Sequence, residues 1–221
     1  MQHPKLEELI ATLEQLRAPG GCAWDLEQTH ESLVRYLLEE TYELVDAIES
    51  GSDHALIEEL GDVLYQVILH SDIAAATEGE DFTVQDVAAA LNAKLIGRHP
   101  HVFGDAVAHT ADDVVAVWDD LKAVEKPGRT SVLDGIPQGM PALALADKVI
   151  GRAQKIGVLD KDALGSIPMQ SEDELGGLLL AIVASAKAQG LDSERALRGA
   201  LRDLQSEIRE SEADIADAHD Q

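Results

Sequence analysis

Five carboxylates fall at spacings suited to chemistry: Glu39, Glu40 and Glu43, then Glu59 and Asp62, with fifteen residues between Glu43 and Glu59. On helices, Glu40–Glu43 and Glu59–Asp62 are i,i+3 pairs, each about 60° apart around the axis. Projection sets the first pair at the edge of an apolar stripe, beside Tyr36 and Ala47. A short connection around Gly51 would make the two helices antiparallel neighbours, so the pairs could converge. Four facing carboxylates repel one another unless a cation neutralises them. All-oxygen ligands favour Mg²⁺, with Mn²⁺ as a substitute, over zinc, and Mg²⁺ sites commonly share their ion with phosphates. Spacing alone leaves a second reading open, that of solvated acidic helix faces. The burial expected of the second helix favours the metal. A di-iron carboxylate bundle would need two Glu-x-x-His motifs on inward faces, and only Glu27–His30 matches, at a helix start.

The elements that must position these residues are legible as helical periods. A first helix is expected over 4–17, ending at Ala18-Pro19-Gly20-Gly21, followed by a loop through Trp24 and Asp25. Thr29 is a candidate N-cap for a helix to about Ser50, with Leu33, Leu37, Leu44 and Ile48 as its apolar stripe. Gly51 stops it, and Asp53 is the expected cap of the next helix, about 54–77. That helix is apolar nearly all round (Leu56, Leu60, Val63, Leu64, Val67, Ile68, Leu69, Ile73), which predicts a place at the centre of a bundle. Thr83 starts a helix to about Gly97, broken at Pro100, and Thr110 starts another through Trp118 to about Glu125. Pro127, Gly128, Gly135, Pro137, Gly139 and Pro141 mark 127–141 as a linker or extended crossing segment.

Composition narrows the function classes. The chain of 221 residues carries 17 Lys+Arg against 42 Asp+Glu, a formal charge of −25. Residues 1–126 hold 26 of the acids and 7 of the bases. Such a balance argues against a nucleic-acid partner and against an anionic membrane surface. Cys22 is the only cysteine, so neither a disulfide framework nor a cysteine zinc cluster is possible. Charges run through MQHPKLEELIATLEQL, so no signal peptide is expected, and no stretch is long and apolar enough to span a bilayer. Aromatics at 3% and abundant Ala, Leu and Glu favour helices. A cytoplasmic, all-α protein is the expectation.

Glu39-Glu40-x-x-Glu43 followed by Glu59-Leu-Gly-Asp62 resembles the EExxE…ExxD signature of the MazG-type nucleoside triphosphate pyrophosphohydrolases. GGCAWD at 20–25, QTHESL at 28–33, LLEETYELVDAI at 37–48, EELGDVL at 58–64 and KLIGRHPHVFGD at 94–105 extend the likeness across most of 1–126. The resemblance implies an all-α NTP pyrophosphatase helix bundle that forms a homodimer. It also implies Mg²⁺-dependent hydrolysis of NTPs or dNTPs to the monophosphate and pyrophosphate. Carried over by position, Glu40, Glu43, Glu59 and Asp62 are the metal ligands. Glu39 projects elsewhere; it could support the ligands, hold a further ion or orient water, and the general base stays open between it and a ligand glutamate.

The same pattern places Asn92, Lys94 and Arg98 against substrate, with Trp118 near the nucleotide and Lys122 among the cations available to the triphosphate. Lys94 and Arg98 are i,i+4 and can project together. Trp24 reads as packing or a lid contact, and His99 and His101 as residues that order a loop. Two other functions remain: a non-catalytic acidic interaction module, and a narrow dUTP or dCTP pyrophosphatase.

The C-terminal part reads as a shortened second copy. Glu174-Leu-Gly-Gly177 and its apolar sequel echo Glu59-Leu-Gly-Asp62, with Gly177 in place of the aspartate. Extending the comparison sets Leu201, Asp203 and Glu207 at the positions of Asn92, Lys94 and Arg98. The expected organisation is a catalytic domain over 1–126, a linker over 127–141 and a degenerate module over 142–221, serving as scaffold or dimer contact.

Overall fold

A computed structural model describes residues 3–110, 113–114, 128–159 and 167–219, and among them there are helices and turns but no strand. The chain divides into two compact units, 1–121 and 122–221. In the first, α1 spans Pro4–Arg17, α2 Ala23–Glu27, α3 His30–Ser50, α4 Asp53–Ala76, α5 Val84–Arg98 and α6 Pro100–Phe103. The helices expected over 4–17, 29–50, 54–77 and 83–97 therefore form where apolar spacing placed them, and the one expected from Thr110 to about Glu125 falls almost wholly outside the described residues. The segment through Trp24 and Asp25, expected as a loop, instead makes the short helix α2.

Thr29 caps α3 in a reciprocal box with Ser32: its hydroxyl accepts from the Ser32 N–H at 3.2 Å, and the Ser32 hydroxyl accepts from the Thr29 N–H at 3.0 Å. Gly51 closes the helix in the left-handed region at φ 68°, where a side chain would be strained. Ser52, not Asp53, caps α4, because its hydroxyl accepts the Ala55 N–H and Asp53 already lies within the helix. Two residues thus turn α3 back antiparallel along α4.

The core of this hairpin lies toward its open end, where Leu33, Leu69 and Ile73 are buried against Tyr36 and Tyr65. Full burial of such side chains contributes about 1.5–3 kcal/mol each. The expectation of an α4 enclosed along its length is corrected: Ile68, Leu69, Ile73 and Ala74 are buried, but Ile57 is 74% and Leu60 50% exposed. Covering elements decide this. α1 packs against α4, and its Ile10 and Leu13 line a small cavity with Ile68, Ser71 and Asp72 of the C-terminal half of α4.

Polar joints complete the packing. Arg17 Nε donates to Asp72 Oδ2 at 2.5 Å and its Nη1 donates to the Asp25 carbonyl, while Tyr65 donates to Asp25 Oδ1 at 2.6 Å. His30 stacks on His70 with ring centroids 5.0 Å apart, and its Nε2 pairs with Glu80 at 2.8 Å. The histidine of the sole Glu-x-x-His match is therefore engaged by α4 and the α4–α5 turn.

In the second unit, α7 spans Ala142–Lys155, α8 Glu172–Ala188 and α9 Ser193–His219. Its core joins Leu145, Val149 and Ala153 of α7 to Leu201 and Ile208 of α9. Leu133 and Ile136 belong to the same core, so part of the segment expected as a linker packs as an integral piece of this unit. Arg198 holds it by donating to the Gln138 and Met140 carbonyls at 2.9 and 2.5 Å. Glu174 accepts the Gln170 N–H at 2.8 Å beside the Ser171 cap, an engagement at the start of α8. Among the described residues no single helix is long and apolar enough to cross a membrane.

Candidate metal centre

The α3–α4 hairpin gathers the acidic pairs. One carboxylate oxygen from each of Glu40, Glu43 and Glu59 lies within 4.8 Å of the others. Two oxygens on one Mg²⁺ lie at most about 4.2 Å apart, given ligand distances of about 2.1 Å, so small side-chain rotations suffice to share an ion. Asp62 is half-buried, and its charge acts on both Glu40 and Glu59. Glu39 is exposed on the flank, where it adds to the repulsion felt by Glu40.

The carboxylates of the cluster repel one another. Desolvation, then Asp62, Glu43, Glu59 and Glu39 in that order, push the Glu40 carboxyl above its ordinary value. Glu59 is pushed up too, by desolvation first and then by Glu43, Asp62 and Glu58. Glu59 Oε2 is buried with no hydrogen-bond partner among the described residues. A buried acceptor without a donor is costly, and a hard cation is the partner this donor set fits. The hairpin thus brings together carboxylate oxygens of Glu40, Glu43 and Glu59, while Asp62 is near enough to act on Glu40 and Glu59 by its charge.

Asn92 and Lys94 stand exposed on α5, which packs against α4, and neither bonds to the four carboxylates among the described residues. Arg98 is half-buried at the end of α5. His99 Nδ1 pairs with the Leu95 carbonyl at 2.6 Å, in keeping with a loop-ordering role. Trp118 and Lys122 lie outside the described residues.

Comparison with known proteins points the same way. The family model described as the MazG nucleotide pyrophosphohydrolase domain matches residues 28–103. A Thermotoga maritima protein named nucleoside triphosphate pyrophosphohydrolase/pyrophosphatase MazG is 42% identical over 212 residues, covering 89% of this chain and 81% of that one. The chain belongs to the MazG family. A Mycobacterium tuberculosis nucleoside triphosphate pyrophosphohydrolase is 42% identical over 216 residues, 96% of this chain and 59% of its own length. An uncharacterized 26.1 kDa protein of Streptomyces cacaoi is 45% identical over 208 residues, 94% of this chain and 83% of its own. Glu39, Glu40, Glu43, Glu59 and Asp62 all fall inside the MazG match, as do Asn92, Lys94 and Arg98, whereas Trp118 and Lys122 fall beyond it.

Sequence reasoning gave Trp24 as packing or a lid contact but missed Asp25, Tyr36 and Tyr65 as support of this MazG hairpin. Tyr36 is one turn before Glu40 and Tyr65 one turn after Asp62, and both pack against the core of Leu33, Leu69 and Ile73. Trp24 meets Tyr36 edge-on at 5.5 Å, and Asp25 holds Tyr65, so α2 clamps both helices at that level. The signal was present in the GGCAWD segment, but its partners Tyr36 and Tyr65 lie 12 and 40 residues away in sequence.

The raised carboxyl groups have a measurable consequence. In the metal-free chain, folding favours the protonated forms of Glu40 and Glu59, a stabilisation complete below pH 4.5 and lost as pH rises through their elevated values. A cation requires the deprotonated set and acts in the opposite sense. Mg²⁺ is therefore expected to raise the melting temperature most at pH 7–8, with the gain fading on acidification before an ordinary glutamate would protonate. Thermal melts with and without MgCl₂ across pH 5–8 check this; a gain independent of pH would contradict it.

Proposed function

We propose that this chain hydrolyses nucleoside or deoxynucleoside triphosphates to the monophosphate and pyrophosphate, with Mg²⁺, or Mn²⁺ in its place, held by Glu40, Glu43, Glu59 and Asp62. The observation that carries this reading is the convergence of three α3–α4 carboxylates within 4.8 Å, together with the buried, unpartnered Glu59 oxygen. When bound, the cation supplies the positive charge that an acidic pocket lacks and polarises the phosphates. Glu39, exposed beside Glu40, is the candidate to orient the attacking water toward the α-phosphorus. Attack in line with the departing pyrophosphate needs the nucleotide held along one axis. Asn92, Lys94 and Arg98 on α5, with Trp118 and Lys122, are the residues assigned to hold it.

The same reading includes a homodimer. Leu38, Tyr42 and Ile48 of α3 and Ile57 and Leu60 of α4 are all at least half exposed, apolar surface of the kind a second copy covers. A cytoplasmic location and a role in clearing non-canonical nucleotides complete the proposal. It is tested by a panel of canonical and oxidised NTPs and dNTPs with Mg²⁺, with pyrophosphate and orthophosphate quantified separately. Pyrophosphate is the expected direct product, and orthophosphate as the direct product would overturn the proposed bond cleavage. Under the interaction-module alternative, neither product would form.

A further inference from the structure

Positive charge is concentrated on α7 in an otherwise acidic chain. Lys148, Arg152 and Lys155 recur at i, i+4 and i+7 and so share one face of the helix. That face lines a cleft of about 280 Å³, opposite the turn formed by Gly135, Ile136 and Pro137, and Asp147 is the one carboxylate among the described residues that lines it. Among the described residues, neither Lys148 nor Arg152 is engaged in an ion pair. In a chain with 42 acids to 17 bases, two cations left without a carboxylate on the same face are conspicuous. The helix dipole accounts for basic residues in the last turn, Arg152 and Lys155, but its influence does not reach back to Lys148.

Gly151 supplies a second observation. It lies inside the helix, where glycine is among the poorest formers, and a Cβ there would meet nothing within 4 Å. Packing therefore does not demand glycine. Lacking a side chain, it leaves the floor of the cleft open beside Lys148 and Arg152. On the opposite wall, Gly135 has φ +80° and lies under the Arg129 guanidinium, and a Cβ at Gly135 would fall 2.1 Å from Arg129 Nη2. The Asp134 carboxylate accepts the Thr130 and Ser131 N–H groups at 2.9 and 3.1 Å and so fixes this turn.

We infer that this cleft binds an oligophosphate anion, either pyrophosphate or the phosphate chain of a nucleotide, along the α7 face that presents Lys148 and Arg152. Lys148 and Arg152 stand one turn apart, about 6 Å along the helix, a separation that two linked phosphates match more closely than one. The volume sits at the lower limit of organic-ligand pockets, enough for a phosphate chain with any base left outside. This site uses none of the α3–α4 carboxylates and stands independently of the proposed hydrolysis.

Calorimetric titration of the full chain tests it, in EDTA so that metal-bridged binding at the carboxylates is silent. Pyrophosphate is expected to bind once per chain, more weakly as KCl is raised. The Lys148→Gln/Arg152→Gln variant should lose about tenfold or more in affinity, while Lys5→Gln should bind as the parent does. Gly151→Met keeps every cation but fills the floor, so it should melt at a higher temperature and bind less. ATP bound more tightly than pyrophosphate would assign a nucleotide, and equal affinities would assign the phosphate chain alone; both support the site. Absence of binding by either probe, equal affinities for parent and both cleft variants, or orthophosphate bound as tightly as pyrophosphate would overturn it.

Discussion

Glu59→Gln and Asp62→Asn are each expected to lower Mg²⁺-dependent pyrophosphate release by roughly 10³-fold, the loss of several kcal/mol of transition-state stabilisation, while the chain stays folded. Both substitutions preserve shape and remove one negative charge from a cluster whose members already repel one another. The metal-free variants should therefore melt no lower than the parent. The Mg²⁺-induced rise in melting temperature should shrink or vanish with the activity. Glu59 is the sharper test, because its buried Oε2 has no other partner among the described residues. Turnover and melting, each measured with and without Mg²⁺, separate the two effects. A variant that turns over like the parent would show that the carboxylates are merely an acidic face, and one that unfolds would show that they hold the hairpin together.

Arg17→Met is expected to cost about 3 kcal/mol of stability, the lower end for breaking a buried pair, since Asp72 is a quarter exposed. The Arg17 side chain is 9% exposed and joins α1 to α4 through Asp72 and to α2 through the Asp25 carbonyl. Methionine keeps the bulk but leaves both acceptors without their donor. Lysine should rescue only partly, because one ammonium cannot reproduce a fork serving two acceptors. At about 2–4 °C per kcal/mol for a chain of this length, the melting temperature should fall by roughly 10 °C. Activity should suffer less than in the ligand variants, because the effect reaches the site only through Asp25 and Tyr65, one turn from Asp62. Denaturant unfolding measures it; a loss below about 1 kcal/mol would mean that the joint is solvent-compensated.

The two experiments probe different levels of legibility. The carboxylates could be singled out from sequence because their grouping depends on local geometry. An i,i+3 pair shares a helix face wherever the helix lies, and a two-residue turn dictates antiparallel neighbours. The Arg17–Asp72 and Tyr65–Asp25 bonds could not, since they join residues 55 and 40 apart and no short-range pattern encodes which polar side chains meet. The same limit explains α4. Its apolar run foretold burial, but only packing showed that α1 meets its C-terminal half and leaves Ile57 and Leu60 exposed.

By itself, then, the sequence determined α1, α3, α4 and α5, the caps at Thr29 and Thr83, the stop at Gly51 and the acidic pairs, because periodicity, capping and charge act within a few residues. Tertiary structure alone decided that α2 clamps Tyr65 through Asp25, that Leu133 and Ile136 of the supposed linker enter a core, and that α7 turns its cations onto a cleft. Those outcomes depend on which surfaces meet across long stretches of chain, where burial and desolvation select partners that local spacing cannot specify.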